Sequence, residues 1–433
     1  MEKIHFLGIG GSGISAVAAL AKAKGFKISG CDKNPFNEFT ENFDQTSLFT
    51  SHSGIHPKGG KIDLLVITPA ILSLDPENEE LVEARKLNIP ILTWHEFLAK
   101  YLMKDKFVIA VCGTHGKSTT TAMIAEILED SGFNPSVVLG AMVKRWNANF
   151  RVGESKYFII EADEFNDNYL NFHPDISVVT SVEFDHPEYF KDFESYKNSF
   201  RKFLSQTSQT IFANLEDSGV KETLVSDKAS KDFNFPKIID YSKSLKIDLP
   251  LKLVGNHNFQ NALAAFQVGL AVGIDSVAIK QSLMNFTGVG RRFEYLGDLH
   301  GAHIYSDFGH HPTEIKVTLN ASRVKFPNNK IYVVFQPHMF SRTKALFSDF
   351  AEVLKQAPVD KIFIIDIYPS REVDTKIVTS KQLVDKINKA SIRYFASSEN
   401  LLKEIKSTIQ KDDIIFFLGA GDTHNLAKQF LND

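Results

Sequence analysis

The chain has 433 residues, which is too long for one ordinary hydrophobic core, so we expect about three domains of roughly 100–200 residues each. An apolar share of 43% and a charged share of 23% are typical of a soluble globular protein, and a net charge of −3 argues against a general binder of nucleic acid. The first residues are not predicted to be a signal peptide, and no apolar run approaches the ~20 residues of a membrane span. The two cysteines show no metal-ligand spacing. These features favour a protein of the reducing cytoplasm without a membrane partner.

Residues 1–104 are predicted to form an α/β domain, because strand and helix patterns alternate along them. IHFLGIG is predicted to be a strand that ends in glycines, and ISAVAALAKAKG a helix that Gly25 ends. KISGCD, DLLVITPAI and PILTW are the further strand candidates. Such alternation indicates a parallel sheet.

The first strand candidate leads into a glycine-rich loop. Gly8, Gly10 and Gly13 fit the pattern G-x-G-x-x-G, and Asp32 follows nineteen residues after Gly13. Taken alone, this pattern is typical of a dinucleotide-binding fold, so an NAD-dependent oxidoreductase is one candidate function. The N-terminus of the following helix can bind any other diphosphate equally well, so the residues leave the ligand open.

Residues 105–294 are predicted to form a second α/β domain, with the boundary in the tract YLMKDK. FVIAVCG is a strand candidate and STTTAMIAEILEDSG a helix with apolar residues at helical spacing. YFIIEAD and ISVVTSVEFDH are predicted to be buried strands with acidic residues at their carboxyl ends, where ligands of open α/β sheets bind. GNHNFQNALAAFQVGLAVG is predicted to be a long apolar helix.

Between this strand and helix lie the residues of a short phosphate-binding loop: Gly113, Gly116, Lys117 and Ser118. Backbone N–H groups would hold phosphate oxygens, Lys117 would neutralise their charge, and the hydroxyl of Ser118 or Thr119 would bind Mg²⁺. The loop is shorter than the general form G-x-x-x-x-G-K-[ST], unless Ala110 takes the place of the first glycine. A plain glycine-rich turn with a solvated lysine is the alternative interpretation.

Residues 295–433 are predicted to form a third α/β domain. Its strand candidates are IYVVFQPH, KIFIIDIY, IRYFAS and DIIFFLGAGD. Its helix candidates are TEIKVTLNASRVKF, RTKALFSDFAEVLKQA, KQLVDKINKA and ENLLKEIKSTIQ. The sequence therefore predicts three α/β domains in series.

Nine motifs follow one another along nearly the whole chain: LGIGGSGISAVA, GTHGKSTTTAMIAEIL, EADEF, EFDHPEYF, GNHNFQNALAA, GVGRRFEYLG, SDFGHHPTEI, FQPHMFSRT and LGAGD. In this order they resemble the Mur ligases, which build the peptide of the bacterial cell wall. The resemblance implies an N-terminal Rossmann-like domain for a UDP-sugar, a central P-loop ATPase-like domain and a C-terminal Rossmann-like domain for the amino acid. It also implies an ADP-forming amide ligase that joins L-alanine to UDP-N-acetylmuramate through an acyl phosphate.

The resemblance assigns nucleotide-binding roles to two loops and to several residues beyond them. The UDP-sugar diphosphate is expected at the first loop, formed by Gly8, Gly10, Gly11, Ser12, Gly13 and Asp32. ATP is expected at the second loop, formed by Gly113, Thr114, His115, Gly116, Lys117, Ser118 and Thr119. Asn258 and Asn261 are expected to bind adenine, Arg292 the γ-phosphate, and Asp307 the nucleotide.

The resemblance also implies two Mg²⁺ ions, with Ser118, Glu161 and His186 as ligands and Asp185 orienting His186. From the residues alone, solvated loop acids and a structural histidine are the alternatives. Lys117, Glu161, His186 and Arg292 are then the catalytic set. Many relatives carry a lysine that is carbamylated to hold the second metal; Phe200 stands at that position here, which argues against a carbamate.

His310, His338 and Arg342 are expected to form the amino-acid pocket. A zinc site at the His310–His311 pair is a weaker alternative, because no further ligand pair has zinc spacing. Phe308 and Met339 stand where the family usually has Tyr and Arg, so a ligase for a preformed peptide or another small amino acid stays an alternative. A non-catalytic nucleotide-binding regulator is a third class, and the sequence leaves the oligomeric state open.

Overall fold

A computed structural model of the chain describes residues 2–52, 62–226, 232–243, 249–370, 372–374 and 376–432. The chain divides into two compact units. The first unit comprises Met1–Glu183, Phe193–Lys252 and Asn258–Thr287, and the second comprises Phe184–Asp192, Leu253–His257 and Gly288–Asp433. Within the described residues, no helix is both long and apolar enough to cross a membrane.

The first unit begins with a five-stranded parallel sheet in the order β3-β2-β1-β4-β5. Its strands are β1 Lys3–Leu7, β2 Lys27–Cys31, β3 Leu48–Phe49, β4 Leu64–Ile67 and β5 Ile91–Thr93. Its helices are Ser12–Ala23, Ala70–Leu74, Glu79–Lys86 and Trp94–Phe97, with a 3₁₀ turn at Gln45–Ser47 and a π turn at Leu98–Leu102. The parallel sheet predicted for this part of the chain is confirmed.

Local residue chemistry explains the first strand and helix. Ile4, Phe6 and Leu7 are fully buried, as expected of a central parallel strand covered on both faces. The helix Ser12–Ala23 ends beside Gly25, whose φ of +91° is a conformation that other residues seldom adopt. The sequence predicted this end correctly.

A second, seven-stranded sheet follows in the order β12-β11-β10-β6-β9-β7-β8, parallel except for the β7–β8 pair. Its strands are β6 Phe107–Cys112, β7 Ser136–Val143, β8 Ala148–Arg151, β9 Tyr157–Glu161, β10 Ile176–Val179, β11 Thr210–Ala213 and β12 Lys237–Asp240. The helices of this part are Lys117–Asp130, Phe193–Ser205, Ser218–Val225, Asn256–Val272 and Ser276–Asn285, with a 3₁₀ segment at Phe165–Asn171.

The strand predicted for ISVVTSVEFDH is shorter than expected. Strand β10 ends at Val179, which pairs with Cys112, the last residue of β6. Beyond it, the Thr180 hydroxyl donates to the carbonyl of His115 at 2.5 Å, so the chain turns to brace the glycine loop instead of extending the sheet. His186 therefore lies in a loop with φ +57° and not at a strand end, which corrects the sequence prediction.

The second unit holds a six-stranded sheet in the order β13-β14-β18-β15-β16-β17, parallel except for the β13–β14 hairpin. Its strands are β13 Glu294–Leu299, β14 Ala302–Asp307, β15 Ile331–Phe335, β16 Lys361–Ile364, β17 Ile392–Tyr394 and β18 Ile414–Leu418. Its helices are Pro312–Lys325, Phe340–Ala345, Phe347–Gln356, Ser380–Ile387, Ser398–Thr408 and Thr423–Asn432. The four strands predicted here are confirmed.

Two features of this unit differ from the sequence analysis. RTKALFSDFAEVLKQA forms two helices, because Leu346 leaves the helical conformation at φ −103° and ψ 23°. The β13–β14 hairpin was not predicted. His300 and Gly301 both have positive φ, the requirement of a type I′ turn, so the His-Gly pair was the available signal.

Candidate functional site

The second glycine loop lies between β6 and the helix Lys117–Asp130, which is the position of a phosphate-binding loop. Gly113 has φ +133° and Gly116 has φ +82°. A Cβ atom on Gly113 would lie 2.2 Å from the Thr180 hydroxyl, and one on Gly116 would lie 2.5 Å from Asn261 Oδ1. Glycine is therefore needed at both positions for backbone conformation and for close packing.

Lys117 opens this helix, and its ammonium group folds back over the loop. It donates to the carbonyls of Gly113 at 2.5 Å and Thr114 at 3.3 Å, and to Glu164 at 2.9 Å. Burial lowers the pKa of Lys117, but Glu164 and two other carboxylates outweigh burial and raise the pKa above its ordinary value. The lysine is thus a permanent positive charge at the mouth of the loop, suited to phosphate oxygens.

Ser118 and Glu161 bring hard oxygen atoms together beside the same helix end. The Ser118 hydroxyl donates to Glu161 Oε1 at 2.9 Å, and the Gly140 N–H donates to Glu161 Oε2 at 2.7 Å. Mg²⁺ prefers hydroxyl and carboxylate oxygens and keeps several waters, so this pair fits the ion. Thr119, the other hydroxyl considered, is buried in the first turn.

The segment after β10 and the helix Phe193–Ser205 brace the loop through contacts that the sequence analysis missed. Thr114 exchanges two hydrogen bonds of 2.9 Å with the backbone of Glu183, and its hydroxyl lies 3.0 Å from that of Tyr196. His115 Nε2 lies 2.8 Å from the Glu183 carboxylate. About seventy residues separate these partners, so no local pattern could have indicated them.

Glu164, Asn258 and Asn261 surround the loop within the first unit. Glu164 is 1% exposed and accepts from the Tyr196 hydroxyl at 2.9 Å, so this carboxylate holds Lys117 in place. Asn258 and Asn261 are buried near the start of the helix Asn256–Val272, and Asn261 reaches the space next to Gly116. The structure thus brings one predicted adenine contact to the predicted ATP loop.

The first glycine loop has the close packing expected of a diphosphate-binding turn. Gly8 has φ +89°, and its N–H donates to the carbonyl of Cys31 at 2.8 Å. The Gly10 N–H donates to Asp32 Oδ2 at 3.0 Å. A Cβ atom on Gly13 would lie 2.7 Å from the Trp94 ring. Gly11 and Ser12 complete the turn, and no side chain caps the helix that Ser12 begins, which suits an anionic ligand.

The second unit contains a buried ion pair between two predicted site residues. Arg342 donates to Asp185 at 2.8 and 3.2 Å, and its Nη1 lies 3.1 Å from His338 Nδ1. Burial alone would raise the pKa of Asp185, but Arg342 holds that pKa well below the ordinary value. Asp185 was expected to orient His186, and this role stays a prediction. Its carboxylate makes a bidentate contact with Arg342 and also accepts the backbone N–H of His186.

His186 itself is held by backbone and neighbouring acids. Its N–H donates to Asp185 Oδ1 at 2.8 Å, and its ring Nδ1 lies 3.1 Å from Glu188 Oε1. Its ring Nε2 is 3.9 Å from Asp185. The assignment of His186 as a metal ligand stays a prediction.

Phe308, in the place of the family tyrosine, packs among charged and aromatic groups. The guanidinium carbons of Arg291 and Arg292 lie 4.7 and 5.1 Å from the centre of its ring, and His310 meets it edge-on at 5.3 Å. Both guanidinium groups thus make cation–π contacts with the Phe308 ring. His338 lies 5.5 Å from His310, so both predicted pocket histidines are neighbours.

His310 is a neutral imidazole in this surrounding. Burial lowers the pKa of His310 to about 3, and the nearby carboxylate of Glu314 offsets burial only in part. Its partner His311 caps the helix Pro312–Lys325 by accepting from Thr313, with Glu314 completing a capping box. His311 thus has a structural role through its Nδ1 atom, and the zinc considered from sequence is not tested by this contact.

Asp307 and Arg292 both contact other residues of the second unit. Asp307 is 5% exposed, and it accepts from the backbone of Gly309 at 2.8 Å and from that of Phe293 at 2.8 Å. Arg292 Nη1 lies 3.4 Å from Glu314. The geometry of Asp307 shows a loop-stabilising role, and its contact with nucleotide stays a prediction.

Phe200 is fully buried on the helix Phe193–Ser205. The neighbouring Arg201 is 1% exposed and pairs with Glu194 at 2.7 Å. A side chain that could be carbamylated is therefore absent from this position.

Three family models match the chain. They describe the Mur ligase family catalytic domain at residues 3–106, the Mur ligase middle domain at 111–269, and the Mur ligase glutamate ligase domain at 291–421. The UDP-N-acetylmuramate–L-alanine ligase of Caldicellulosiruptor saccharolyticus is 38% identical over 100% of this chain and 99% of its own length.

Solved structures show the same similarity. The UDP-N-acetylmuramate-alanine ligase of Thermotoga maritima is similar with a TM-score of 0.81 and 25% identity, over 100% of this chain and 99% of that one. A murein peptide ligase from Psychrobacter arcticus is similar with a TM-score of 0.74 and 21% identity, over 100% and 98% of the two chains. The second similarity concerns the fold alone.

Proposed function

The chain belongs to the Mur ligase family, and from this premise we propose that it joins L-alanine to UDP-N-acetylmuramate with hydrolysis of ATP to ADP and phosphate. A relative with this activity in its name is 38% identical over the full chain. The product would be a precursor of peptidoglycan.

The observation that carries the proposal is the arrangement at the second glycine loop. A positively charged lysine, a serine hydroxyl and the Glu161 carboxylate meet at one helix N-terminus. Backbone N–H groups and Lys117 suit the phosphates of ATP, whereas an NAD-dependent oxidoreductase has no use for the Ser118–Glu161 pair. The first glycine loop would then hold the diphosphate of the sugar nucleotide.

The chemistry begins with a carboxylate, which is a poor electrophile at neutral pH. The lactyl carboxylate of the sugar attacks the γ-phosphorus of ATP, ADP leaves, and an acyl phosphate forms. The amine of L-alanine then adds to the acyl carbon, and phosphate leaves from the tetrahedral intermediate. Lys117 and Arg292 are proposed to stabilise the negative charge that develops during phosphoryl transfer.

Ser118 and Glu161 would hold Mg²⁺, which supplies charge neutralisation at the transferring phosphate. His186, which ends the motif EFDH, is proposed as a ligand of a second Mg²⁺. Asn258 and Asn261 are proposed to bind the adenine edge.

His310, His338 and Arg342 are proposed to form the amino-acid pocket. Asp307 keeps its proposed nucleotide contact. We also propose domain limits at 1–104, 105–294 and 295–433. A cytoplasmic location is proposed, because both free cysteines are buried thiols that suit a reducing compartment.

Phosphate release from purified protein tests the proposal. The protein is given Mg-ATP and UDP-N-acetylmuramate, and each small amino acid or a short muropeptide-like peptide is then added separately. Release that depends on L-alanine is the expected result. Release with the peptide alone would identify a peptide ligase instead, and no release with any acceptor would refute the assigned sugar or enzyme class.

A further inference from the structure

A second group of chemically active side chains lies in the first sheet, next to the first glycine loop but outside the residues proposed to bind the sugar nucleotide. His5 on β1, Cys31 on β2 and Glu80 in the first turn of the helix Glu79–Lys86 are all fully buried. His52, a half-buried residue shortly after β3, contacts the sulfur of Cys31. We call these four residues the His-Cys-Glu-His cluster.

Three contacts among the donor atoms have the spacing of neighbouring ligands in a tetrahedral metal site. Nε2 of His5 lies 3.2 Å from one oxygen of Glu80, the sulfur of Cys31 lies 3.2 Å from the other oxygen, and it lies 3.3 Å from Nδ1 of His52. The donor atoms of His5, Cys31 and Glu80 all lie within 4.8 Å of one another. Zinc bonds of about 2.0–2.3 Å place tetrahedral ligand atoms about 3.2–3.7 Å apart.

Neighbouring residues fix the His5 ring and the position of Glu80. Nδ1 of His5 lies 2.8 Å from the Ser29 hydroxyl, the kind of outer contact that fixes the ring of a metal-bound histidine. Glu80 is placed by Asn78, which caps its helix by accepting the Glu80 N–H at 3.1 Å. The parallel register of β1 and β2, with His5 opposite Ser29 and Leu7 opposite Cys31, brings the imidazole and the thiol together.

We propose that His5, Cys31, Glu80 and His52 bind one Zn²⁺ ion. A nitrogen, sulfur and oxygen donor set of this kind suits zinc better than Mg²⁺, which avoids thiolates. The Cys31 thiol, which now donates to Glu80, loses its proton to solvent as the Zn–S bond forms. The thiolate and the carboxylate then balance the two charges of the ion, and the two imidazoles bind as neutral donors.

The ion would brace the neighbouring glycine loop. The carbonyl of Cys31 accepts from the N–H groups of Gly8 at 2.8 Å and Ile9 at 3.1 Å. Fixing the Cys31 side chain therefore fixes the strand end that holds this loop. Metal binding here is independent of the proposed ligase activity, and either can fail without the other.

Cobalt titration of the full-length, tag-free protein tests the site. Co²⁺ occupies zinc sites and gives a thiolate-to-cobalt charge-transfer band only when sulfur is a ligand. The protein is stripped with a chelator, dialysed and titrated anaerobically with Co²⁺. The expected result is a charge-transfer band that saturates at about one ion per chain and disappears when Zn²⁺ displaces the cobalt. Cobalt at the Ser118–Glu161 pair would give no such band.

Three variants test which cysteine supplies the sulfur ligand and whether His52 contributes to metal binding. The chain has two cysteines, so Cys112→Ser is the matched control and must keep the band. Cys31→Ser must lose it. His52→Gln changes a half-buried side chain and should fold, with a cobalt affinity at least about tenfold lower. No band in the unmodified protein, a band that survives Cys31→Ser, or an unchanged affinity in His52→Gln would each overturn the proposal and leave a metal-free polar cluster.

Discussion

Removing the charge of Asp185 is expected to destabilise the segment around Arg342. The two side chains are 7% and 2% exposed, so the substitution Asp185→Asn leaves a buried guanidinium without its anion. Breaking a buried ion pair from one side costs about 3–5 kcal/mol, which corresponds to roughly two to three and a half powers of ten in an opening equilibrium. The amide N–H groups of Thr343 and Leu346, which bond to Met339 and Arg342, are suitable reporters.

Hydrogen exchange followed by mass spectrometry measures this opening directly. Peptides that cover the helix Phe340–Ala345 should exchange faster in Asp185→Asn by the factor given above. The control is Glu399→Gln, which removes an ion pair with Lys403 whose partners are 75% and 70% exposed. Solvent and salt screen such an exposed pair, so the control should change exchange only slightly. Equal effects in the two variants would refute the view that burial makes the Asp185–Arg342 pair important.

The same pair predicts a pH dependence with a definite sign. Arg342 lowers the pKa of folded Asp185, so its contribution to stability is present above the unfolded pKa of about 3.9 and is lost as pH falls through the folded pKa. The protection from hydrogen exchange that the pair gives the helix Phe340–Ala345 should therefore persist from pH 7 to pH 5 and decline only in stronger acid. If the unmodified protein and Asp185→Asn already exchange at the same rate at pH 6, this assignment is contradicted.

Three further substitutions test the two loops. Gly116→Ala places a Cβ atom against Asn261 on a backbone with φ +82°, so the loop must shift and kcat/KM for ATP should fall about 10²-fold. The control Gly132→Ala, at φ +80° in open space, should leave ATP turnover unchanged. An equal loss in both variants would contradict a local cause. Glu161→Gln should raise the Mg²⁺ concentration for half-maximal phosphate release at least about tenfold, and an unchanged Mg²⁺ requirement would remove this residue from the metal site. Gly13→Ala places a Cβ 2.7 Å from Trp94 and should weaken binding of UDP-N-acetylmuramate, measured by calorimetry, while ATP binding stays the same; unchanged sugar binding would exclude this loop.

The sequence alone determined the features that depend on neighbouring residues. Strand β1, the helix ended by Gly25 and the strand–loop–helix unit around Lys117 were predicted correctly, because apolar periodicity and glycine conformations are local properties. The family and the fold class were also accessible, since nine motifs in a fixed order are far more specific than any one glycine loop.

Tertiary structure decided what each charged side chain contacts. Sequence placed Asp185 beside His186, but the fold brings Arg342 to it from 157 residues away. In the motif EADEF, Glu164 follows Glu161 by three residues, yet the two carboxylates have different partners. The fold buries Glu164 between Lys117 and Tyr196, and Glu161 accepts from Ser118.

The His-Cys-Glu-His cluster shows the same limit most clearly. Its members come from four separate segments, so no spacing of cysteines and histidines could indicate a metal site. Strand register and a helix cap bring them within contact distance. Local patterns specify which elements form, whereas the pairing of distant elements decides which polar groups share a buried space and therefore which chemistry is available.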